Sequence, residues 1–172
     1  ARIHSNRAST YDLAFFSKTE LKLTPNIKGQ IGIRIPYHSI YAAPLSPSLE
    51  LLYSKSSKLQ YRASYARGFR APTIKELFME FIDFNHNIVG NSELEAEYSH
   101  AFNSSIVYTP YQKNTKYIQI DIQGSLQYLN NKIDLAQIEN TTGYTYFNVS
   151  NAKYYGLNTT IDSKVSESSN IR

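Results

Sequence analysis

The 172-residue sequence contains no cysteine, which excludes a disulfide scaffold and any thiolate metal site. It also lacks any apolar run near the roughly 18 residues that a transmembrane helix needs, so a helical membrane protein is excluded. The net charge of +4 is spread along the chain with no Lys/Arg cluster, which argues against a nucleic-acid partner. The first ten residues have no apolar segment of the kind found in a secretion signal.

The common catalytic motifs are missing as well. The sequence has no G-x-S-x-G elbow, no H-E-x-x-H pair and no glycine-rich phosphate loop. His, Asp and Glu do not cluster at the spacings that metal sites use. We therefore expect neither an enzyme nor a resident cofactor.

What the sequence does have is alternation. From Tyr117 to Tyr128, isoleucine, leucine and tyrosine alternate with glutamine, aspartate and serine. A period of two residues predicts strands with one apolar and one polar face. With 15 tyrosines and 8 phenylalanines, this pattern suits a membrane barrel with a polar lumen and aromatic girdles, and it also suits a soluble β-sandwich.

Similar alternation predicts seven antiparallel strands, at residues 11–24, 30–39, 45–53, 58–68, 95–109, 116–138 and 144–165, with an eighth starting near Ile171. The phase slips near residues 130–131 and 148–151, which predicts β-bulges there. Turns rich in Pro, Ser and Asn follow every second strand, and the longer connections, including residues 69–94, lie between them. Outer-membrane barrels keep short turns in the periplasm, so residues 69–94 are predicted to be extracellular.

The same alternation predicts a lipid-facing belt with tyrosines near the strand ends. The expected belt residues are Ile31, Ile33, Ile35, Leu49, Leu51, Ile106, Ile118, Ile120, Ile122 and Ile161, and the girdle residues are Tyr37, Tyr53, Tyr65, Tyr108 and Tyr128. In a soluble sandwich, these residues would instead form the core between two sheets.

Two short boxes in the long connection resemble those of TonB-dependent outer-membrane receptors, an FRAP box followed by an NPxL box. Here they read Phe69-Arg70-Ala71-Pro72 and Asn91-Ser92-Glu93-Leu94, with Ser92 where the family usually has proline. Weaker similarities extend over most of the chain, at residues 11–23, 32–34, 45–49, 75–78, 90–91, 94–97, 147–148 and 154–157.

The resemblance implies an all-β fold: about seven to eight strands of an antiparallel up-and-down transmembrane barrel that has 22 strands in all. Residues 1–172 would be a partial barrel domain, with the plug domain and remaining strands outside this sequence. The family binds a scarce nutrient of the iron-siderophore, haem or cobalamin class and imports it by TonB-coupled active transport.

On this interpretation, the location is the outer membrane of a Gram-negative bacterium. The partners are outer-membrane lipid, a small ligand such as a metal chelate, and the TonB system through the plug. The alternatives are a complete eight-stranded barrel with a structural or adhesive role, and a soluble β-sandwich binding module.

The loop at residues 69–94 carries the candidate ligand residues. Pro72 and the capping-box spacing of Thr73 and Glu76 predict a short helix over residues 73–81, and Gly90 predicts a turn conformation that other residues resist. Some haem receptors of the family carry a histidine between the boxes, so His86 is a candidate haem ligand, flanked by Asn85 and Asn87.

Three arginines complete the candidate set. Arg62, Arg67 and Arg70 are predicted to line the lumen, where they could bind an anionic siderophore or a phosphate. A plainer interpretation makes the boxes a conformational anchor for the loop, pairs the arginines with carboxylates and leaves His86 solvated. His38 and His100 are expected to be structural or lumenal.

Overall fold

The computed structural model describes residues 2–3, 9–84, 87–114, 116–166 and 169–171. They form a single sheet and one short helix, which lies in the connection after β5. The elements in chain order are β1 (Arg2–Ile3), β2 (Asp12–Thr24), β3 (Ile27–His38), β4 (Ser46–Ser56), β5 (Leu59–Arg70), α1 (Ile74–Phe78), β6 (Met79–Ile82), β7 (Asn87–Val89), β8 (Glu97–Lys113), β9 (Lys116–Gln137), β10 (Tyr144–Ser166) and β11 (Ser169–Ile171).

Seven long strands, β2 to β5 and β8 to β10, lie side by side in chain order, each antiparallel to the next. This confirms the predicted up-and-down topology, and every predicted long strand is present. β11 pairs with β10 antiparallel, as expected for the eighth strand. Because β2 pairs only with β3 among the described residues, the sheet is open rather than closed.

Short turns join the strands at one end of the sheet, and polar side chains hold them. Thr24 Oγ1 accepts hydrogen bonds from the amides of Asn26 and Ile27, at 3.3 and 3.0 Å. Ser56 Oγ accepts one from the amide of Lys58 at 3.2 Å. Asn114 has a φ of 53°, a left-handed conformation that asparagine tolerates well.

Register shifts in the long strands occur beside these short turns, near Thr24, Ser56, Tyr111 and Ser166. The predicted bulges at residues 130–131 and 148–151 are wrong, since β9 and β10 keep one register from Tyr144 to Lys164. The irregularity there is local: Asn131 has a φ of 54° where the pairing of β9 with β8 ends.

The register also separates the two faces of the sheet. Residues directly opposite each other in antiparallel strands point to the same side of the sheet. Leu51, Ala63 and Ser104 form one such row across three strands. The same side carries Ile33, Tyr61, Ile106 and Ile122, each an even number of residues from its strand's member of the row or opposite such a residue. We call this side the apolar face and the other the polar face. All ten predicted belt residues and all five girdle tyrosines lie on the apolar face, many of them with large exposed side chains.

A single layer leaves little interior, so the predicted alternative of a two-sheet sandwich is wrong. Among the residues whose burial the structure describes, the buried hydrophobic ones are Leu77, Leu94, Ala96 and Ile133, all at the end of the sheet that carries the long loop. The described part of the chain contains no helix long and apolar enough to cross a membrane.

Candidate ligand-binding loop

The long connection between β5 and β8 contains α1 and the antiparallel pair of β6 and β7. Thr73 caps α1: its Oγ1 accepts from the amide of Glu76 at 3.2 Å, and the Glu76 carboxylate accepts from the amide of Thr73 at 2.7 Å. The predicted capping box is therefore confirmed. The predicted helix over residues 73–81 is too long, because the chain becomes extended at Met79 and pairs as β6 with β7.

Arg70, the arginine of the FRAP box, sits between two carboxylates. Its Nη1 donates to both oxygens of Glu76 at 3.0 Å, and its Nη2 donates to Glu97 Oε1. Glu97 Oε1 also accepts from the amide of Ile133 at 2.7 Å, beyond the last residue of β9 that pairs with β8. The guanidinium thus links α1 to the start of β8, and the Glu97 carboxylate extends the link to β9.

The electrostatics of this charge cluster are favourable. Burial alone would raise the pKa of Glu97, but hydrogen bonds from Arg70 and from the Ile133 amide, with the nearby positive charge, hold it below its usual range. The hydrogen bond to Glu97 is the main cause of a raised Arg70 pKa. Both groups lie at the ends of their strands that adjoin the long loop, and both are charged at neutral pH.

The second box closes the loop over the projecting ends of β9 and β10. Asn91 Nδ2 donates to the Tyr146 carbonyl at 3.0 Å, and its Oδ1 accepts from the Glu93 amide at 2.9 Å. Leu94 is buried against Leu77 and Ile133, whereas Ser92 and Glu93 are exposed.

Glu95, just after the second box, also bonds the loop to β10. The Glu95 amide donates to Asn148 Oδ1 at 2.8 Å, and Asn148 Nδ2 donates to the Glu95 carbonyl at 3.0 Å. The Glu95 carboxylate accepts from Asn131 Nδ2 at 2.6 Å. The hydroxyl of Tyr41, in the connection between β3 and β4, donates to the Leu94 carbonyl at 3.0 Å. Asn131 and Asn148 were not predicted as partners of the loop, although the weak similarity at residues 147–148 includes Asn148.

Gly90 lies against α1. A Cβ at this position would be 2.7 Å from Leu77 C and from Phe78 N. No glycine in the described residues has a positive φ. The predicted turn conformation at Gly90 is therefore wrong, and close approach of two backbones is the reason that the position takes glycine.

The structure does not bring the candidate ligand residues into one cluster. Asn85 and His86 lie outside the described residues. Asn87 begins β7 and is half-buried. Arg70 belongs to the charge cluster and also borders a concavity of about 660 Å³, whose other basic residues are Arg34, His38 and Lys75. Among the described residues, no group of His, Asp and Glu could hold a metal ion.

The other predicted lumen residues divide between the two faces. Arg62 lies on the polar face, with its Nε 3.3 Å from the Glu50 carboxylate. Arg67 lies on the same face of β5 as Tyr61 and Tyr65, directly opposite His100. Because this is the apolar face, the predicted lumenal position of Arg67 is wrong. His100 Nδ1 lies 2.9 Å from the Tyr65 hydroxyl, and His38 is buried, with Nδ1 accepting from the Ile40 and Tyr41 amides.

Across the middle of the polar face, small side chains leave a second concavity of about 410 Å³, lined by residues that include Ser64, Asn103, Gln123, Ser125 and Asn158. A meandering sheet with an exposed apolar face, a polar face hollowed by small residues and a structured loop at one end is the wall of a large membrane β-barrel. Residues 2–169 match the family model described as TonB dependent receptor-like, beta-barrel. The chain belongs to this family of receptor barrels.

Solved structures show the same fold. A mutant of the ferric enterobactin receptor PfeA from Pseudomonas aeruginosa aligns with 94% of this chain and 26% of its own, at 21% identity and a TM-score of 0.72. The siderophore receptor PirA from the same organism aligns with 95% of this chain and 33% of its own, at 20% identity and a TM-score of 0.75. A double mutant of the hemophore receptor HasR from Serratia marcescens, in complex with its hemophore HasA and heme, aligns with 91% of this chain and 32% of its own, at 13% identity and a TM-score of 0.75.

The chain therefore spans about a quarter to a third of the length of these receptors. At such identities, the likeness shows the fold alone. No curated protein matches the sequence.

Proposed function

We propose that this chain is part of the barrel of an outer-membrane receptor that binds a scarce nutrient and imports it by TonB-coupled active transport. The nutrient classes are an iron-siderophore complex, haem or cobalamin, and no reaction is catalysed. The family match over residues 2–169 carries this proposal, and the exposed apolar face of the sheet supports a membrane location.

Within the receptor, we place residues 69–94 on the extracellular side as part of the ligand surface. Short turns occupy the opposite end of the sheet, which in outer-membrane barrels is the periplasmic end. Arg34, Lys75 and Asp12 border one concavity beside the loop, together with Arg70, which is paired with Glu76 and Glu97. We propose that the cations of this concavity contact an anionic chelate. Asn85, His86 and Asn87 form the other proposed contact, with His86 as the haem ligand if the nutrient is haem.

Uptake by whole cells tests the transport proposal. Cells that carry the full-length receptor are supplied with labelled ferric siderophores, hemin or cobalamin under limitation of that nutrient. We expect accumulation of one class, and loss of that accumulation when either the receptor or TonB is deleted. Accumulation that is independent of TonB, or no difference between receptor-positive and receptor-negative cells for any class, would contradict the proposal.

A hemin titration of the purified full-length receptor tests His86 separately. Axial ligation by a histidine shifts the Soret band, and His86→Ala removes that shift if His86 is the ligand. His100→Ala is the matched control, since His100 lies on the apolar face of β8, outside residues 69–94. An identical spectrum in wild type and His86→Ala excludes His86 as a ligand.

A further inference from the structure

His38, the last residue of β3, is buried at the end of the sheet that carries the long loop. Among the residues whose burial the structure describes, the buried polar side chains are His38 and Ser46, and a histidine is the one that gains a proton near neutral pH. The Nδ1 atom of His38 accepts hydrogen bonds from the amides of Ile40 and Tyr41, at 3.2 and 3.3 Å. A ring nitrogen that accepts from an amide carries no proton of its own, so this imidazole is neutral, with its hydrogen on Nε2.

These two hydrogen bonds cap a turn in the manner that aspartate, asparagine, serine and threonine usually do. In such turns, a side-chain oxygen accepts from amides a few residues farther along the chain. An oxygen of this kind remains an acceptor at any pH near neutrality. A histidine loses its acceptor when Nδ1 takes up a proton, because two N–H groups would then point at each other. The cap on this turn is therefore sensitive to pH.

The capped turn holds the connection between β3 and β4 against the end of the long loop. The Tyr41 hydroxyl donates to the Leu94 carbonyl at 3.0 Å, and the Tyr98 hydroxyl on β8 donates to the Ala42 carbonyl at 3.4 Å. The rings of His38 and Tyr41 have centroids 5.4 Å apart. Burial raises the pKa of Tyr41, so its hydroxyl keeps the proton that it donates. The direction of Tyr41 thus depends on the cap that His38 supplies.

Several charged groups surround His38, and they oppose one another. The titratable groups that face it from the packed elements are Asp12 on β2, Arg34 on β3, Tyr41 in the connection, Arg70 on β5 and Lys75 on α1. Asp12 is directly opposite His38 in the register of the two strands, whereas the three basic residues border the same concavity as His38. Nδ1 itself faces the two amides rather than any of these charges, so a proton there would meet two N–H donors.

We infer that His38 is a pH-sensitive latch, which holds the β3–β4 connection against the long loop while it is neutral and releases that connection when it is protonated. The release begins after Ser39, because the Ser39 amide donates to the Tyr11 carbonyl at 3.0 Å and its Oγ accepts from the Tyr11 amide at 3.0 Å. The long loop keeps its own hydrogen bonds, through Arg70 and Asn91, when the connection is released. The latch acts in the unliganded receptor and does not depend on which nutrient binds.

Hydrogen exchange of the purified, folded full-length receptor tests the latch. Peptides that cover residues 39–46 are followed from about pH 8 to about pH 5, the range in which histidines change charge, with rates corrected for the intrinsic effect of pH. In the wild type, the loss of two hydrogen bonds should accelerate their exchange about tenfold across this range. Peptides from residues 74–91 should keep level rates over the same range.

His38→Asn separates the proton from the cap. The asparagine Oδ1 takes the place of Nδ1 as acceptor and does not titrate, so exchange of residues 39–46 should be slow and level throughout. His38→Leu has no acceptor, and its exchange should be fast and level. His100→Asn is the matched control, because it makes the same chemical change on the apolar face of β8 and should keep the wild-type response.

Tyr41→Phe tests the contact with the long loop. It removes only the hydroxyl that reaches Leu94, so exchange of residues 39–46 should be about fivefold faster than in the wild type at about pH 8. Heat-modifiable electrophoretic mobility shows that every variant is folded. A level profile in the wild type, a wild-type pH response in His38→Asn, or equal exchange in Tyr41→Phe and the wild type would each overturn the inference. None of these results bears on nutrient uptake by whole cells, which tests the proposed function separately.

Discussion

Gly90→Ala should open the long loop without unfolding the barrel. The added Cβ would lie 2.7 Å from two backbone atoms of α1, Leu77 C and Phe78 N, whereas ordinary contacts begin at 3.4 Å. Backbone atoms cannot rotate away as a side chain can. The Gly90 and Asn91 amides donate to the carbonyls of Met79 and Glu76 at 2.7 and 2.8 Å, so making room for the methyl group must strain or break these hydrogen bonds.

Overpacking of this kind costs about 1 to 3 kcal/mol. A cost of about 2 kcal/mol raises the equilibrium for local opening roughly thirtyfold. Hydrogen exchange of the full-length receptor, followed by mass spectrometry, measures this directly in peptides that cover residues 74–91. We expect exchange there to accelerate by about this factor, while peptides from β9 and β10 keep wild-type rates.

Gly124→Ala is the matched control for this experiment. Gly124 lies on the apolar face of β9, and no heavy atom lies within 4 Å of a Cβ built there. The same chemical change should therefore leave loop exchange unaltered. Equal exchange in Gly90→Ala, Gly124→Ala and wild type would refute the reasoning, because it would show that the contact of Gly90 with α1 is not close in solution.

Three further predictions concern the base of the loop. Thr73→Ala removes the helix cap, which costs about 1 kcal/mol, so hydrogen exchange of the α1 amides should be about fivefold faster. The exposed control Ser92→Ala should leave this exchange unchanged. An unchanged rate in Thr73→Ala would contradict the capping geometry. In Arg70→Lys, the single ammonium group cannot hold both carboxylates as the planar guanidinium does. The loop should therefore open more often, and protease cleavage within residues 71–96 should accelerate several-fold. Cleavage at the wild-type rate would show that one ion pair is enough to hold the loop. Because the pKa of Glu97 is lowered in the native state, its stabilisation is complete above the unfolded value of about 4.3 and is lost as pH falls through the native value. Loop exchange corrected for intrinsic rates should thus stay level from about pH 7 to 5 and rise only below about pH 4.3, and a rise already between pH 7 and 5 would contradict this assignment.

The strands could be predicted from the sequence because alternation is a local property. A period of two residues fixes which side chains share a face wherever the strand is extended. For the same reason, the predicted belt and girdle residues share one face of the sheet. Arg67 is in phase with Tyr61 and Tyr65 on β5, so the same local period already favours the apolar face for its side chain.

The loop was predictable only in part. The capping box is encoded by two residues three positions apart, and it formed. The end of α1 was not encoded locally, because Met79 to Ile82 become a strand through pairing with β7.

The sequence by itself determined the up-and-down strand order, the two faces of the sheet and the family. Strand period, turn residues and the two boxes are all contiguous patterns, and each can be read without knowing what lies across the sheet. Only the tertiary structure decided that Arg70 joins Glu76 to Glu97, that Gly90 touches α1, and that Tyr41 reaches the Leu94 carbonyl. Each of these depends on register between segments distant in sequence, where a shift of one residue would exchange the faces.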